Sequence, residues 1–399
     1  MNPPSISLFP RRIWARALGV AVAFAAALAA GCGGGVGEGG TGGGYTQGTV
    51  SGLGSVIVNG VRYDDSTAVV TDVDGTPRSA AALGLGMAVE VESGGISTAS
   101  GRPEATATAI RYTSEMVGPI AAIDAGTGRI TVLGQTVQLQ VTTAFGAPLS
   151  GLGSLAVGQI VELHAEQNTA TGVYLATRVE ARADADTPAW RVRGLITERD
   201  ALTRRFSIGN ASFDYGAVPP AGVVVGRMAR ATLAKTAADS TVWTVTALAT
   251  GQRALPEGRE ATLAGLVTEI EAQPKFFSVN GQPVNAAGLT LPNGLALGAR
   301  VEVKGRVTGG ALRATEVSVL AGAAAVPTSD IELIGNVTNV DAAAKTFSVR
   351  GTAVGYARAD LEWRGGTAAD LAQGRRVQVH GPLAAGGRAV EARRIDFNN

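Results

Sequence analysis

The sequence predicts an all-β protein, a tandem array of five small five-stranded barrels behind an export signal and a glycine-rich tether. Three observations predict it. A glycine flanked by alternating apolar residues recurs at spacings of 70, 76, 71 and 70 residues. A tight hairpin motif follows four of the five recurrences. A strand of the form Gly-x-x-Val-x-Val then returns in most of the repeats. The composition fits globular repeats: 45% of the 399 residues are hydrophobic and 17% are charged, so this is no disordered polar chain. The 55 glycines have no triplet period and accompany only 16 prolines, which excludes collagen.

Residues 1–31 predict a lipoprotein signal peptide. Arg11, Arg12 and Arg16 form a basic start, and Ala17 to Ala30 is an apolar run too short to span a bilayer comfortably. The run ends at Leu28-Ala29-Ala30-Gly31-Cys32, where Cys32 is the chain's only cysteine. The segment resembles the bacterial lipobox, with Ala29 in the place where leucine is usual and Leu28 one place earlier. The resemblance implies cleavage before Cys32 and lipidation of that residue; the alternative is ordinary secretion with a spare thiol. Gly33 stands where an inner-membrane retention aspartate would be, which favours the outer membrane, facing the periplasm. Residues 32–47 hold nine glycines in sixteen. They predict a flexible tether with a root-mean-square span of roughly 20–25 Å.

Each repeat opens with its glycine: Gly48, Gly118, Gly194, Gly265 and Gly335. Met116, Val192, Leu263 and Leu333 precede four of these by two residues, a period-two pattern that puts the glycine on the inward face of a first strand. An inward glycine marks a bend or a close backbone approach. The hairpin follows at Val56–Gly60, Phe206–Asn210, Phe277–Gly281 and Phe347–Gly351, and Asn-Gly between alternating apolar residues is a strong turn signal. A third strand runs through Val61 and Tyr63 or their counterparts. After a connection with room for one helical turn, a fourth strand reads Gly86–Val91, Gly158–Leu163, Gly298–Val303 or Gly374–Val379. The third repeat weakens it to Gly226–Ala231. A fifth strand ends the unit. This order is compatible with an OB-like barrel, a small meander being the alternative. The predicted boundaries are 48–114, 115–187, 188–257, 258–322 and 331–399. Units this short are marginal alone, and contacts between neighbours help.

The opening glycine, the Phe-Ser-Val-x-Gly hairpin and the Gly-x-x-Val-x-Val strand resemble a bacterial family catalogued as domain of unknown function 5666, over residues 48–399. The resemblance implies exported and lipid-anchored proteins. It brings no catalytic residues.

The chemistry-bearing residues are few. One cysteine excludes a disulfide framework or a multi-cysteine zinc site. His164 and His380 both stand six residues after the fourth-strand glycine, a position that holds Glu92, Thr232 and Lys304 elsewhere, and they read as solvent-facing strand positions or the loop just beyond. Asp64, Asp65, Asp72 and Asp74 lack the spacing of a calcium loop and read as turn chemistry. The Ser-Gly-Leu-Gly-Ser segments at 51–55 and 150–154 lack a base to activate a serine. No metal site, cofactor or catalytic residue is therefore expected. OB-like faces bind by stacking on exposed rings, and Tyr63, Phe213, Tyr215, Tyr356 and Trp363 are the rings placed for it. A net charge of +1 gives no excess for a polyanion groove, so nucleic acid is not expected as a partner. The expectation is a non-enzymatic cell-envelope lipoprotein, held to the membrane through Cys32, that binds or scaffolds an envelope protein or glycan. The alternatives are glycan or nucleic-acid binding through the barrel faces, and an uncharacterised hydrolase.

Overall fold

Hairpin turns set the local geometry. In the computed structural model, which describes residues 43–216, 222–237, 239–271, 275–320, 331–384, 387 and 389–397, Asn59-Gly60, Leu133-Gly134, Asn280-Gly281 and Arg350-Gly351 have positive φ at both positions. This is the type I′ turn, whose twist matches that of the strands it joins. The turn residue folds back over the opening glycine of the first strand. A Cβ on Gly48 would sit 2.2 Å from Asn59 Oδ1, and one on Gly265 would sit 2.1 Å from Asn280 Nδ2. The glycine is thus a close-approach position, as its inward parity suggests. Just beyond it the first strand bulges, between Val50 and Gly52, Ile120 and Ala122, Ile196 and Glu198, or Val267 and Glu269. The bulge coils the strand sharply enough to pair on both sides.

The result is a closed circuit. In the first barrel, Gly44–Leu53 pairs antiparallel with Val56–Val58, which pairs antiparallel with Val61–Asp64. That third strand runs parallel to Glu104–Thr113, which pairs with Ala88–Ser93, which returns to the first strand. A first strand flanked by the second and fourth, with the third beside the fifth, is the OB topology. The same circuit recurs through Met116–Asp124, Arg129–Val132, Gln135–Phe145, Ile160–Asn168 and Val173–Ala181. It recurs in Trp190–Asp200, Arg205–Ile208, Ala211–Asp214, Met228–Leu233 and Val242–Thr250. Glu260–Ile270, Phe276–Val279, Gln282–Asn285, Arg300–Thr308 and Ala311–Val319 repeat it. In the last circuit, Ile331–Asp341, Thr346–Val349, Thr352–Gly355 and Arg376–Gly381 close through a fifth strand broken into Ala389–Glu391 and Arg394–Phe397. The connection before the fourth strand carries a single 3₁₀ turn at Ala80–Ala82, Leu152–Ser154 and Ala368–Asp370.

The circuits do not hang as separate beads. Residues 44–47, read from sequence as the end of the tether, are strand. They run parallel to Glu260–Leu263 on one edge and antiparallel to the first barrel's fourth strand on the other. Tyr45 is buried in the core of the fourth barrel with Leu263 and Phe277. A polar, glycine-rich composition conceals this, because one ring supplies the anchoring apolar surface. First strands meet elsewhere too: Gly52-Leu53 pairs with Glu332-Leu333, and Met116-Val117 with Arg191-Val192. The apolar cores merge accordingly. One cluster joins the first and last barrels, and another joins the second and third.

Candidate functional site at the junction of the barrels

The rings expected to stack on a ligand are mostly inside. Tyr63 and Phe213 are 0% exposed and Tyr215 is 6% exposed. Tyr63 uses its hydroxyl on Thr46 Oγ1, 2.6 Å away, and Phe213 stacks on Phe206 at 5.4 Å. The correction follows from strand parity: Tyr63 and Phe213 stand two residues after the inward Val61 and Ala211, so they point into their barrels. Tyr356 and Trp363 are half-buried in the last barrel, edge to face at 6.0 Å. The five rings lie in three different barrels and do not form one face. Cys32 and the signal segment lie outside the described residues.

His164 is fully buried, not solvent-facing. Its strand position points outward from its barrel, but residues 112–115 cover it. Nδ1 lies 2.6 Å from the carbonyl of Thr113, so a neutral ring carries its proton there. Burial holds its pKa below the usual histidine value of 6.5. His380 is largely covered as well, 3.9 Å from Glu332. The two histidines serve different barrels.

The acidic stretch of the first barrel is spent on turns and ion pairs. Asp72 Oδ1 accepts the N–H groups of Asp74 and Thr76, and Arg78 pairs with its other oxygen at 2.8 Å. Asp74 meets Arg191 and Arg230 at 2.7 and 2.9 Å, and Asp65 meets Arg350 at 3.1 Å. Among the described residues no group of three or more His, Cys, Asp and Glu is arranged to hold a metal.

These pairs reveal a charge pattern. Residues 48–187 hold 14 Asp and Glu against 7 Lys and Arg, whereas residues 188–399 hold 24 Lys and Arg against 18 Asp and Glu. The acidic half meets the basic half through ion pairs of mostly one polarity. Glu90 and Glu92 take Arg253 at 3.2 and 2.6 Å, Glu115 takes Arg193 at 3.1 Å, and Glu166 takes Arg300. Only the pairing of Arg62 and Arg102 with Glu332 runs the other way among the contacts named here.

Glu166–Arg300 and Glu115–Arg193 are the most deeply set of these pairs. Glu115 stands just before the second barrel's first inward residue, and its Oε2 accepts the N–H of Ala165 at 3.0 Å. Arg193 precedes the third barrel's opening glycine and also donates to Gln252 at 2.6 Å. Its backbone carbonyl accepts the hydroxyl of Tyr174 at 2.8 Å. Burial raises the Glu115 pKa to about 7 even though Arg193 opposes the shift. Burial likewise lowers Arg300 to about 10. Sequence reasoning missed these residues. The available signal was a charged side chain directly beside an inward position of a first strand, where a free barrel shows only solvent.

Around Glu115 and Arg193 the barrels enclose a space of about 40 Å³. At roughly 10–15 Å³ per water centre it has room for about three waters. Gln47 Oε1 and Thr177 Oγ1 border it without a protein partner. Its size and polarity suit bound water and are too small for an organic ligand.

The fold and this junction define a class: tandem OB-topology barrels locked into one body by first-strand pairing and buried ion pairs. The model of the family described as Domain of unknown function (DUF5666) matches three of the barrels, at residues 117–180, 264–318 and 334–396, consistent with tandem repeats of that domain. The circuits at 44–113 and 190–250 lie outside the matched residues yet pair in the same order. No curated protein matches the chain.

Proposed function

We propose that the chain is an exported, non-enzymatic lipoprotein of the cell envelope. In this reading a lipid on Cys32 moors it to the outer membrane on the periplasmic side, and it works as a rigid binding or scaffolding module for an envelope component. One observation carries the reading: the strand Gly44–Gln47, which follows the glycine-rich segment, is hydrogen-bonded on both edges and plugs Tyr45 into a distant barrel. A lipid at Cys32 then holds the whole body and not one loose unit. The ion pairs of Glu115 and Glu166 with arginines of neighbouring barrels support a structural role for these buried carboxylates.

The test is metabolic labelling with radioactive palmitate, followed by membrane fractionation. The wild-type chain should take up label and sediment with membranes. Cys32→Ala should remain unlabelled and soluble. An unlabelled, soluble wild type, or a variant that still carries label, would overturn the mooring.

A further inference from the structure

The seam between the first and last barrels holds an open cleft of about 460 Å³, within the range of small-molecule sites. Its lining brings four guanidiniums, from Arg62, Arg102, Arg364 and Arg394, against two carboxylates, Glu104 and Asp396. The arrangement is preset by strand pairing. Glu362 lies opposite Arg394, and Arg364 opposite Asp396, on adjacent parallel strands, so acid faces base across the pair.

The four arginines are not equally occupied. Arg62 donates to the largely covered carboxylate of Glu332. Arg102 lies 3.7 Å from the same Glu332 and its side chain is 56% exposed. Arg364 donates to Glu362 through Nε at 2.8 Å, and Arg394 donates to Asp396 through Nε at 2.8 Å. No hydrogen bond among the described residues uses the Nη groups of Arg364 or Arg394. Each carboxylate therefore fixes a guanidinium by one edge and leaves its outer donors for something else.

We propose that this cleft binds a phosphate group through the outer nitrogens of Arg102, Arg364 and Arg394. The chemistry selects phosphate over carboxylate. A carboxylate has two oxygens in one plane and is satisfied by a single guanidinium fork. Three separate forks require an anion with three or more oxygens in different directions. The site deepens the binding half of the function proposed above and is independent of Cys32, so failed palmitate labelling leaves it standing and a failed phosphate titration leaves the mooring standing.

Isothermal calorimetry on the full chain in nonionic detergent tests it, with three probes: inorganic phosphate, glucose 6-phosphate, and mixed micelles of the same detergent containing phosphatidylglycerol. Binding of any one at constant ionic strength, and tighter than chloride, supports the site; the tightest probe assigns the source as free anion, sugar ester or lipid headgroup. Arg102→Ala with Arg364→Ala removes two half-exposed side chains and should weaken that binding at least tenfold. Arg306→Ala, an exposed arginine of the fourth barrel, should leave it unchanged. An unchanged melting temperature without ligand confirms that the double variant is folded. Failure of all three probes, or equal affinity in the double variant, overturns the proposal.

Discussion

The Glu115 carboxylate and the Arg193 guanidinium meet 3.1 Å apart where the second and third barrels touch, and both side chains are largely withdrawn from water. Arg193 continues to Gln252, at the approach to the fourth barrel. One ion pair thereby ties together segments that no local sequence signal connects. Removing one partner of a buried pair strands the other charge. Arg193→Ala should therefore destabilise the body by about 3–5 kcal/mol. Chemical denaturation would check this, and a loss below about 1 kcal/mol would mean that the pair is solvated in solution.

The same carboxylate predicts a pH dependence. Its ordinary pKa is 4.5 and burial raises it to about 7 in the folded chain. A group raised on folding contributes stability that is complete below about pH 4.5 and is lost as pH rises through about 7. Glu115→Gln removes that titration. The melting temperature of the variant relative to wild type should climb between about pH 5 and pH 8. A constant gap over that range would show that Glu115 does not titrate there.

His164 acts in the opposite sense. Its pKa is depressed by burial, so its contribution is present above the ordinary value of 6.5 and is lost as pH falls through the depressed folded value. His164→Asn keeps a donor near the Thr113 carbonyl and removes the titration. Wild type should lose melting temperature faster than this variant on going from about pH 7 to pH 5; parallel curves would place the ring in solvent.

The opening glycines are tested at Gly194. A Cβ there would lie 2.2 Å from the Tyr174 hydroxyl and 2.5 Å from Ile208 Cγ2. Gly194→Ala should cost about 1–3 kcal/mol, the usual range for overpacking. The expected signature is weakened docking of the second barrel on the third, because Tyr174 belongs to the former and Ile208 to the latter. Hydrogen exchange at Arg191 to Leu195 would report it, and unaltered protection would contradict it.

Much of the fold was legible because its signals are local. Period-two alternation, the Asn59-Gly60 and Asn280-Gly281 turns and the recurring fourth strand each act within a dozen residues, and together they imply the barrel and its family. The junction was not legible. Arg62 meets Glu332 across 270 residues and Arg350 meets Asp65 across 285. These partners occupy different places in their repeats, so the repetition that exposes the fold hides the docking. His164 shows the same effect: a position that is polar in every repeat is buried in one because a neighbour covers it. The rings failed for a simpler reason. Tyr63 and Phe213 follow the inward parity that the sequence already displayed, and an aromatic residue in a small barrel fills the core before it is free to stack.

The central claim is that the barrels form one body. Small-angle X-ray scattering on the chain from Gly33 onward, made without its anchor, tests it most directly. A single packed body of this length should give a radius of gyration of about 20–22 Å, whereas a string of independent barrels should give about 35 Å or more. The smaller value, unchanged by moderate salt, is the predicted result; the larger one would contradict the account.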